Sequence, residues 1–490
     1  MHPKYNIPKE VTHVTEALQR ADFEAYLVGG CVRDLLLGKK PKDWDVTTNA
    51  TPEQIQAIFP HTFYENTFGT VGVVNEETGD ETLKTVEVTT YRTESSYTDS
   101  RRPDTVSFST KLDDDLRRRD FTINALAHDP SKGHIVDLYK GQDDLNSKVI
   151  RAVGDREERF KEDALRMLRA VRIASELDFT IEPETEKAIQ NNAHLLKKIS
   201  KERIRDEFVR ILMSDRAMEG LLLAKKLGVL TYITPELEKG IGIDQNQAHK
   251  YDVFEHNMRT LDYAVTKNFG LDLRLASLFH DISKPETRRY SEEKRDWTFY
   301  GHDVVGSRVT KKILTELKFP VKQIEKVTKL VRWHMFFSDP DQITLSAVRR
   351  IIANVGKEDV WELMNLRICD RIGTGRPKEQ PFRFRKYKSM VEEAMHDPVS
   401  VQMLEIDGSK IIKVLGVEPG PKIGYILHAL LEEVLEDPSK NTQENLEKMA
   451  LELNKMDISE LKKIGESGKA AKEKAEEAEV QKIRKRYFVE

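Results

Sequence analysis

Two acidic residues two positions apart, Asp43 and Asp45, are candidates for holding a metal ion. On an extended strand, residues two apart point to one face, so their carboxylates would lie side by side while Trp44 faces the other way. Like charges that close repel unless a cation lies between them, and Mg²⁺ favours a few carboxylates together with substrate phosphates. The pair therefore predicts a magnesium site for phosphoryl or nucleotidyl transfer, with a turn or a solvated face as the alternative.

A glycine pair, Gly29-Gly30, precedes the acidic pair. It follows an apolar run from Ala25 to Val28 that suits a buried strand, and it precedes helical spacing of apolar residues from Cys31 to Leu37. Two glycines allow a sharp turn and a close approach to a bound group, because neither carries a Cβ. The start of the helix, with Arg33 on its polar side, would point free N–H groups at a phosphate.

A mixed polar face follows in the stretch DDDLRRRDFTINALA, residues 113 to 127. Arg118 and Arg119 suit triphosphate oxygens, because a guanidinium binds two oxygens at once. Asp120 and Asn124 can accept hydrogen bonds from ribose hydroxyls and donate to them. An ion-paired helix face is the alternative.

A further acidic and basic pair, Asp163 and Arg166, lies within an apolar stripe typical of a helix. Residues three apart share one helix face, so this carboxylate and guanidinium could match the edge of a base. A simple intrahelical ion pair is the alternative.

Glu87, in the alternating stretch Thr85 to Tyr91, is a candidate third carboxylate for the metal, and a solvated strand face is its alternative.

These motifs together resemble the polymerase-β-like nucleotidyltransferases. The forms GGCVRDLLLG, DWD, RRDFTIN and EDALR are similar to the branch that holds CCA-adding tRNA nucleotidyltransferases and bacterial poly(A) polymerases. The resemblance implies an α+β chain. Its polymerase-β-like nucleotidyltransferase head, a mixed sheet with helices, would be followed by a mostly α-helical body containing an HD domain.

The resemblance also assigns roles to residues. Asp43 and Asp45 would bind Mg²⁺ and carry catalysis, and Asp163 with Arg166 would act as an amino-acid template for CTP or ATP. The other nucleotide-binding positions would hold the triphosphate and the ribose, namely Gly29, Gly30, Arg33, Arg118, Arg119, Asp120, Asn124 and Arg169.

Histidine and aspartate residues recur in the second half, in the order H, HD, H, H, D. A lone buried histidine usually belongs to a hydrogen-bonded core, but this series resembles the HD metal-phosphohydrolase superfamily. Its core ligands would be His256, His280, Asp281 and Asp370, a set that suits a transition metal able to acidify a bound water. His302 and His334 would hold a second metal or touch substrate phosphate. A purely structural role stays open.

Basic and aromatic residues alternate in RPKEQPFRFRKYK, residues 376 to 388, a composition that suits an RNA backbone with bases stacked on rings. Arg383, Arg385, Lys386 and, after a Pro-Gly-Pro turn, Lys422 are candidate RNA contacts. A solvated helix end is the alternative.

The whole-chain numbers predict several domains in 490 residues and, at a net charge of −4, no general affinity for nucleic acid. The N-terminus lacks a signal peptide core, no apolar run could span a bilayer, and two distant cysteines suggest reduced thiols. We therefore expect a cytoplasmic protein without membrane contact. The predicted division is a head at 1–150, a nucleotide-selecting neck at 151–240, an HD domain at 241–375, a tRNA-binding body at 376–456 and a charged helical tail at 457–490.

The function predicted from the resemblance is template-independent addition of CCA to the 3′ end of tRNA from CTP and ATP. Within the family a shortened loop goes with adding only CC, and the polar segment at 92–112 is not short. Poly(A) polymerase and CC-only or A-only addition remain alternatives. An HD phosphohydrolase with an inactive polymerase head is an alternative of a different class.

Overall fold

The computed structural model describes residues 5–64, 69–94, 106–246, 249–336 and 343–461. The chain separates into two compact units. An N-terminal unit comprises Met1–Glu238 and Glu316–Phe319, and a C-terminal unit comprises Lys239–Thr315 and Pro320–Glu490. The middle of the predicted loop, 95–105, and most of the predicted tail, 462–490, lie outside the described residues. The finer division into five parts stays a prediction.

A seven-stranded mixed sheet, ordered β3-β4-β5-β2-β1-β8-β9, forms the centre of the N-terminal unit. Strands β2 and β5 pair in parallel and the other neighbours pair antiparallel. Its strands are β1 Ala25–Val28, β2 Asp45–Thr48, β3 Thr62–Tyr64, β4 Thr70–Val74, β5 Thr85–Thr90, β8 Leu126–Asp129 and β9 His134–Asp137. Two short pairs stand apart from this sheet, β6 Arg92–Glu94 with β7 Val106–Phe108, and β10 Val149–Ile150 with β11 Thr180–Ile181.

The sheet separates an apolar face from a polar one because side chains alternate along each strand. Val46, Val88 and Val71 occupy one row across three strands and are fully buried beneath apolar residues of neighbouring helices. Asp45 and Glu87 form the adjacent row on the opposite face. The alternation therefore places the Asp45 side chain on the face away from the core.

The remaining elements of the N-terminal unit are helices. Those around the sheet are α1 Lys9–Arg20, α2 Gly30–Leu36, α3 Pro52–Ile58, α4 Leu112–Arg117 and α5 Gly141–Asn146. Those that follow are α6 Arg156–Glu162, α7 Leu165–Leu177, α8 Pro183–Asn192, α9 Lys201–Met213, α10 Ala217–Lys226 and α11 Pro235–Glu238.

In the part of the C-terminal unit that the structure describes, the elements are helices apart from one hairpin, β12 Arg289–Ser291 with β13 Asp296–Thr298. Its helices are α12 Val253–Thr266, α13 Leu271–Phe279, α14 Lys284–Thr287, α15 His302–Glu316, α16 Val321–Trp333, α17 Leu345–Val355, α18 Val360–Gly373, α19 Phe382–Ala394, α20 Gly408–Leu415, α21 Pro421–Glu436 and α22 Gln443–Leu453. Among the described residues, no helix is both long enough and apolar enough to cross a membrane. The predicted α+β class, a mixed sheet with helices followed by a helical body, is confirmed.

Candidate active sites

The glycine turn lies directly against the acidic pair. Gly29 joins β1 to α2 with a φ of 76°, a conformation that favours glycine. A Cβ at this position would lie 3.0 Å from an Nη atom of Arg119 and 3.5 Å from the Asp45 carboxylate. Glycine is therefore favoured by the backbone conformation and by the close approach of the Arg119 guanidinium.

Asp43 and Asp45 line one cavity of about 440 Å³. The structure corrects one detail of the prediction, because β2 begins at Asp45 and Asp43 lies in the bend before it. Trp44 is 2% exposed and points into the core, as the alternation predicts. Burial raises the pKa of Asp45; Arg119 opposes this rise and the nearby charge of Asp43 adds to it.

This donor set fits a hard divalent cation. Two carboxylates that repel each other supply oxygen ligands beside a solvent-accessible cavity, which is what Mg²⁺ requires when it also binds phosphate. Glu87 pairs in register with Asp45 on the neighbouring parallel strand, so both side chains leave the same face of the sheet. The structure therefore places the third candidate carboxylate beside the second.

A chain of polar contacts connects the glycine turn to helix α7. Arg33 donates from Nη1 to the Asn124 side-chain oxygen at 2.9 Å, and Asn124 donates to Asp120 at 3.1 Å. Arg169 in turn donates to Asp120 at 2.7 Å. Although burial opposes ionisation, Arg169 and Asn124 lower the pKa of Asp120 well below its usual range. Arg33, Asn124 and Arg169 all line the cavity of the acidic pair.

A buried carboxylate, Asp115, holds the two predicted phosphate-binding arginines. Arg118 reaches one carboxylate oxygen of Asp115 at 2.6 Å, and Arg119 reaches the other at 3.0 Å. Sequence reasoning missed Asp115 as a functional residue. Its spacing of three and four residues from the arginines was the available signal.

Replacing Asp115 with Asn is expected to lower the free energy of unfolding by about 3 kcal/mol, because two partly buried guanidinium groups lose their partner. Burial opposes ionisation of Asp115, but Arg118 and Arg119 overcome it and lower its pKa below 3.8. The stabilisation is therefore present above that value and is lost as pH falls through the lower folded pKa. Urea unfolding at neutral and acidic pH measures both effects.

The matched control is Asp113→Asn, at an exposed position on the same helix. It should leave the free energy of unfolding nearly unchanged. Equal loss in the two variants would show that the Asp115 ion pairs contribute nothing specific.

The predicted common helix face for Asp163 and Arg166 is wrong. Asp163 follows the end of α6 in an extended conformation, with a φ of −140°, and α7 begins only at Leu165. Its carboxylate accepts from the Leu165 N–H at 3.1 Å and from Arg203 at 2.7 Å. Arg166 contacts Glu162 at 2.6 Å and the Arg118 carbonyl at 3.0 Å.

Six side chains meet in the C-terminal unit. They form two candidate metal-binding groups, His256 with His280 and Asp370, and Asp281 with His302 and His334; in each group the ligand atoms lie within 4.8 Å of one another. His256 and His280 approach at 2.9 Å between their Nε2 atoms, and His302 and His334 at 3.2 Å. All six side chains are buried.

The orientation of three of these histidines is set by backbone carbonyls. His280, His302 and His334 each donate from Nδ1 to the carbonyl three residues earlier, at 2.9, 2.6 and 2.6 Å. A carbonyl only accepts, so Nδ1 carries a proton and Nε2 is the atom that faces the cluster, where it can bind a metal. The facing Nε2 atoms and the Asp281 oxygens need a proton or a metal ion between them. The donor set therefore fits one or two transition-metal ions.

The carboxylates of the cluster favour positive charge beside them. Burial alone would lower the pKa of His280, but Asp281 and Asp370 raise it to about 9. Asp281 also accepts from Lys284 at 2.6 Å, and Lys284 is 5% exposed. A cavity of about 1020 Å³ leads to the cluster, and basic and aromatic side chains line it, including Lys294, Tyr300, Arg371, Arg376 and Phe382.

The predicted RNA contacts are only partly arranged as expected. Arg383, Arg385 and Lys386 are exposed on α19, but Phe384 and Tyr387 are buried in the core and cannot stack on bases. Their helix periodicity explains the difference, because apolar residues of an amphipathic helix face inward. Lys422 lies at the start of α21 and donates to the Asn454 carbonyl at 2.7 Å.

Comparison with known proteins finds three family models in the predicted order between residues 25 and 372. Residues 25–151 match the poly A polymerase head domain, residues 178–241 the "Probable RNA and SrmB-binding site of polymerase A", and residues 253–372 the HD domain. A CCA-adding enzyme of Lactobacillus helveticus is 35% identical over 90% of this chain and 96% of its own length. The chain belongs to the CCA-adding enzyme family. The resemblance predicted from the sequence is thereby confirmed, and membership of this nucleotidyltransferase family implies a divalent metal.

The similar proteins carry two different names, CCA-adding enzyme and A-adding tRNA nucleotidyltransferase. An A-adding tRNA nucleotidyltransferase of Deinococcus radiodurans is 34% identical over 83% of this chain and 91% of its own. The structure of the Bacillus stearothermophilus CCA-adding enzyme in complex with CTP superposes with a TM-score of 0.64 and 26% identity, covering 92% of this chain and 98% of that one. The Thermotoga maritima CCA-adding enzyme complexed with tRNA shares the fold, with a TM-score of 0.55 at 20% identity over 92% of this chain and 97% of that one.

Proposed function

We propose that the chain adds C, C and A to the 3′ end of tRNA that lacks them, using CTP and ATP. The observation that carries the proposal is the convergence of Asp43 and Asp45 on a cavity that Gly30 and Arg33 also line. A carboxylate pair beside a glycine turn and a guanidinium suits a nucleoside triphosphate with its metal. The family membership supplies tRNA as the acceptor.

Different residues of the N-terminal unit would bind the metal and the triphosphate. Magnesium bound by Asp43 and Asp45, with Glu87 as a third carboxylate, would stabilise charge on the transferring phosphoryl group and help deprotonate the 3′-hydroxyl. The turn at Gly29 and Gly30 would let phosphate approach the backbone. Beside it, guanidinium groups would bind the triphosphate oxygens, namely Arg33, Arg118, Arg119 and Arg169.

The ribose and the base would be recognised further from the metal. Asp120 and Asn124 present an acceptor and a donor for ribose hydroxyls. Asp163 and Arg166 would match the Watson–Crick edge of cytosine or adenine. For that they must exchange their present partners, Arg203 and Glu162, for the base. Such an exchange on nucleotide binding makes base selection an induced-fit step.

The experiment that tests this function incubates the full chain and Mg²⁺, in separate reactions, with tRNA transcripts that end before the CCA or after its second C. CTP alone should add two nucleotides, and CTP with ATP should add three and stop. ATP alone should extend only a transcript that already ends in CC. Addition of a single A to CC-ended tRNA without any CMP transfer would instead match the A-adding relative, and an unlimited A ladder on unrelated RNA would identify a poly(A) polymerase.

A second activity, metal-dependent hydrolysis of a phosphoester, is favoured by the six-residue cluster in the C-terminal unit. A metal bound there would make a water acidic enough to attack phosphorus. Lys284 and the basic residues lining the cavity would hold the anionic substrate.

We further propose that the tRNA backbone is contacted by Arg383, Arg385, Lys386 and Lys422. Both activities would operate in the cytoplasm, where tRNA is processed.

A further inference from the structure

The functional face of the sheet continues beyond Asp45 toward the sheet edge. Asp45 pairs with Glu87 on β5, Glu87 with Gly72 on β4, and Gly72 with Phe63 on β3. Side chains of paired residues leave the same face of a sheet. These four positions, which we name the acceptor row, therefore begin at the proposed magnesium ligand and end at an aromatic ring on the edge strand.

Phe63 and Gly72 form an unusual pair within this row. A Cβ on Gly72 would lie 2.4 Å from the Phe63 ring, so the ring rests where a side chain would otherwise stand. Glycine inside a strand often marks a place where another group approaches closely. The ring nevertheless stays 41% exposed. The ring thus packs against the sheet over Gly72, and its outer face remains accessible to a base or another planar group.

The acceptor row lies on the side of Asp45 opposite to the triphosphate cavity. Gly30 and Arg33 follow β1 and Asn124 precedes β8, and these strands lie beyond β2 in one direction. Strands β5, β4 and β3 lie beyond β2 in the other direction. In phosphoryl transfer the attacking oxygen and the leaving group lie roughly in line on opposite sides of phosphorus. An RNA end that approaches from the side of the acceptor row would meet this requirement.

We propose that Phe63 is a stacking platform for a base at the 3′ end of the acceptor RNA. Gly72 lies two strands from Asp45, roughly 10 Å at the usual strand spacing, which is comparable to the reach of a single nucleotide. Aromatic stacking accepts any base, because every base has a π face. That tolerance suits an acceptor whose terminal base changes after each addition. The inference rests on the proposed function and assigns Phe63 to binding and positioning.

The test compares steady-state kinetics of the full chain with tRNA transcripts ending before the CCA, in C and in CC. Phe63→Ala should raise the KM for each RNA by about tenfold or more, the size expected when a base loses its aromatic partner. The KM for CTP should stay within about twofold, because the nucleotide cavity lies on the other side of Asp45. Phe63→Tyr should restore the KM for RNA.

Tyr64 supplies the matched control. It is 45% exposed on the same strand, but it pairs with Val71 and so belongs to the core-face row. Tyr64→Ala should leave the KM for RNA unchanged. Phe63→Leu keeps an apolar cover over Gly72 without an aromatic ring. If Phe63→Leu behaves like the wild type, or if Tyr64→Ala raises the KM as much as Phe63→Ala, the stacking role is wrong.

A binding measurement separates failure of this inference from failure of the proposed function. Phe63→Trp should show fluorescence quenching on addition of CC-ended tRNA, measured as a difference from the wild-type protein. A wild-type protein that adds no nucleotide would refute the proposed function, while quenching at Trp would still support the platform. Active protein without quenching, and with an unchanged KM in Phe63→Ala, would overturn the platform alone.

Discussion

Replacing Asp45 with Asn is expected to lower the rate of nucleotide addition by about 10³-fold or more. The reason is the loss of a metal ligand that contributes several kcal/mol of charge stabilisation in the transition state. Single-turnover incorporation of CMP into CC-lacking tRNA at saturating Mg²⁺ measures the effect. Binding of tRNA should change little, because the carboxylate contacts the metal and not the RNA body.

The same substitution should not weaken the fold. Burial raises the pKa of Asp45, so its ionised form is disfavoured in the folded state, and a neutral Asn removes that cost. Thermal unfolding without metal should therefore occur at the same temperature or a higher one. Protons also compete with magnesium at this carboxylate, so the Mg²⁺ concentration required by the wild type should rise as pH falls.

The matched control is Asp22→Asn, which removes the same charge from an exposed turn. Asp22 has a φ of 63°, a conformation that Asn adopts readily. Its nucleotide addition should equal that of the wild type. Substantial addition by Asp45→Asn at every Mg²⁺ concentration would mean that this carboxylate is not a metal ligand of the reaction.

The double substitution His280→Ala and Asp281→Ala is expected to abolish phosphoester hydrolysis and leave CCA addition intact. His280 belongs to one candidate metal-binding group and Asp281 to the other, so the double substitution should remove metal from both. Ring opening of 2′,3′-cyclic nucleotides to nucleoside monophosphates with Mn²⁺, Co²⁺ or Ni²⁺, followed by chromatography, measures activity, and elemental analysis measures metal content. His428→Ala, at an exposed histidine of the same unit, is the control.

Measuring CCA addition and phosphoester hydrolysis in the same preparation shows whether the double variant is folded, because a misfolded protein would lose both activities. A double variant that adds CCA normally but holds no metal and hydrolyses nothing supports a separate hydrolytic centre. A wild-type protein that hydrolyses no phosphoester with any divalent metal would refute the second activity. Hydrolysis retained by the metal-free double variant would place that activity elsewhere.

Local sequence patterns predicted the strand, the glycine turn and the helix around Gly29 and Gly30 well. The apolar run, the glycine pair and the helical spacing all lie between residues 25 and 37. The observed strand β1 Ala25–Val28 and helix α2 Gly30–Leu36 agree closely with them. The strand boundary at Asp45 was less predictable. The parallel pairing with β5, which fixes where β2 begins, depends on residues far along the chain.

Tertiary contacts explain what the patterns missed. The apolar stripe from Phe160 to Val171 runs through both α6 and α7, so nothing in it reveals the break at Asp163. There the carboxylate caps the next helix and binds Arg203 from α9. Likewise, the HD residues were found by their order, but their close approach depends on the packing of five separate segments.

In the proposed function, Asp43 and Asp45 hold the catalytic metal beside the glycine turn. The most direct measurement is anomalous diffraction from crystals of the full chain grown with CTP, with Mn²⁺ in place of Mg²⁺. We expect a manganese peak between the two carboxylates, in contact with the triphosphate, and its absence in Asp45→Asn. A bound triphosphate whose manganese lies away from both carboxylates would contradict the account.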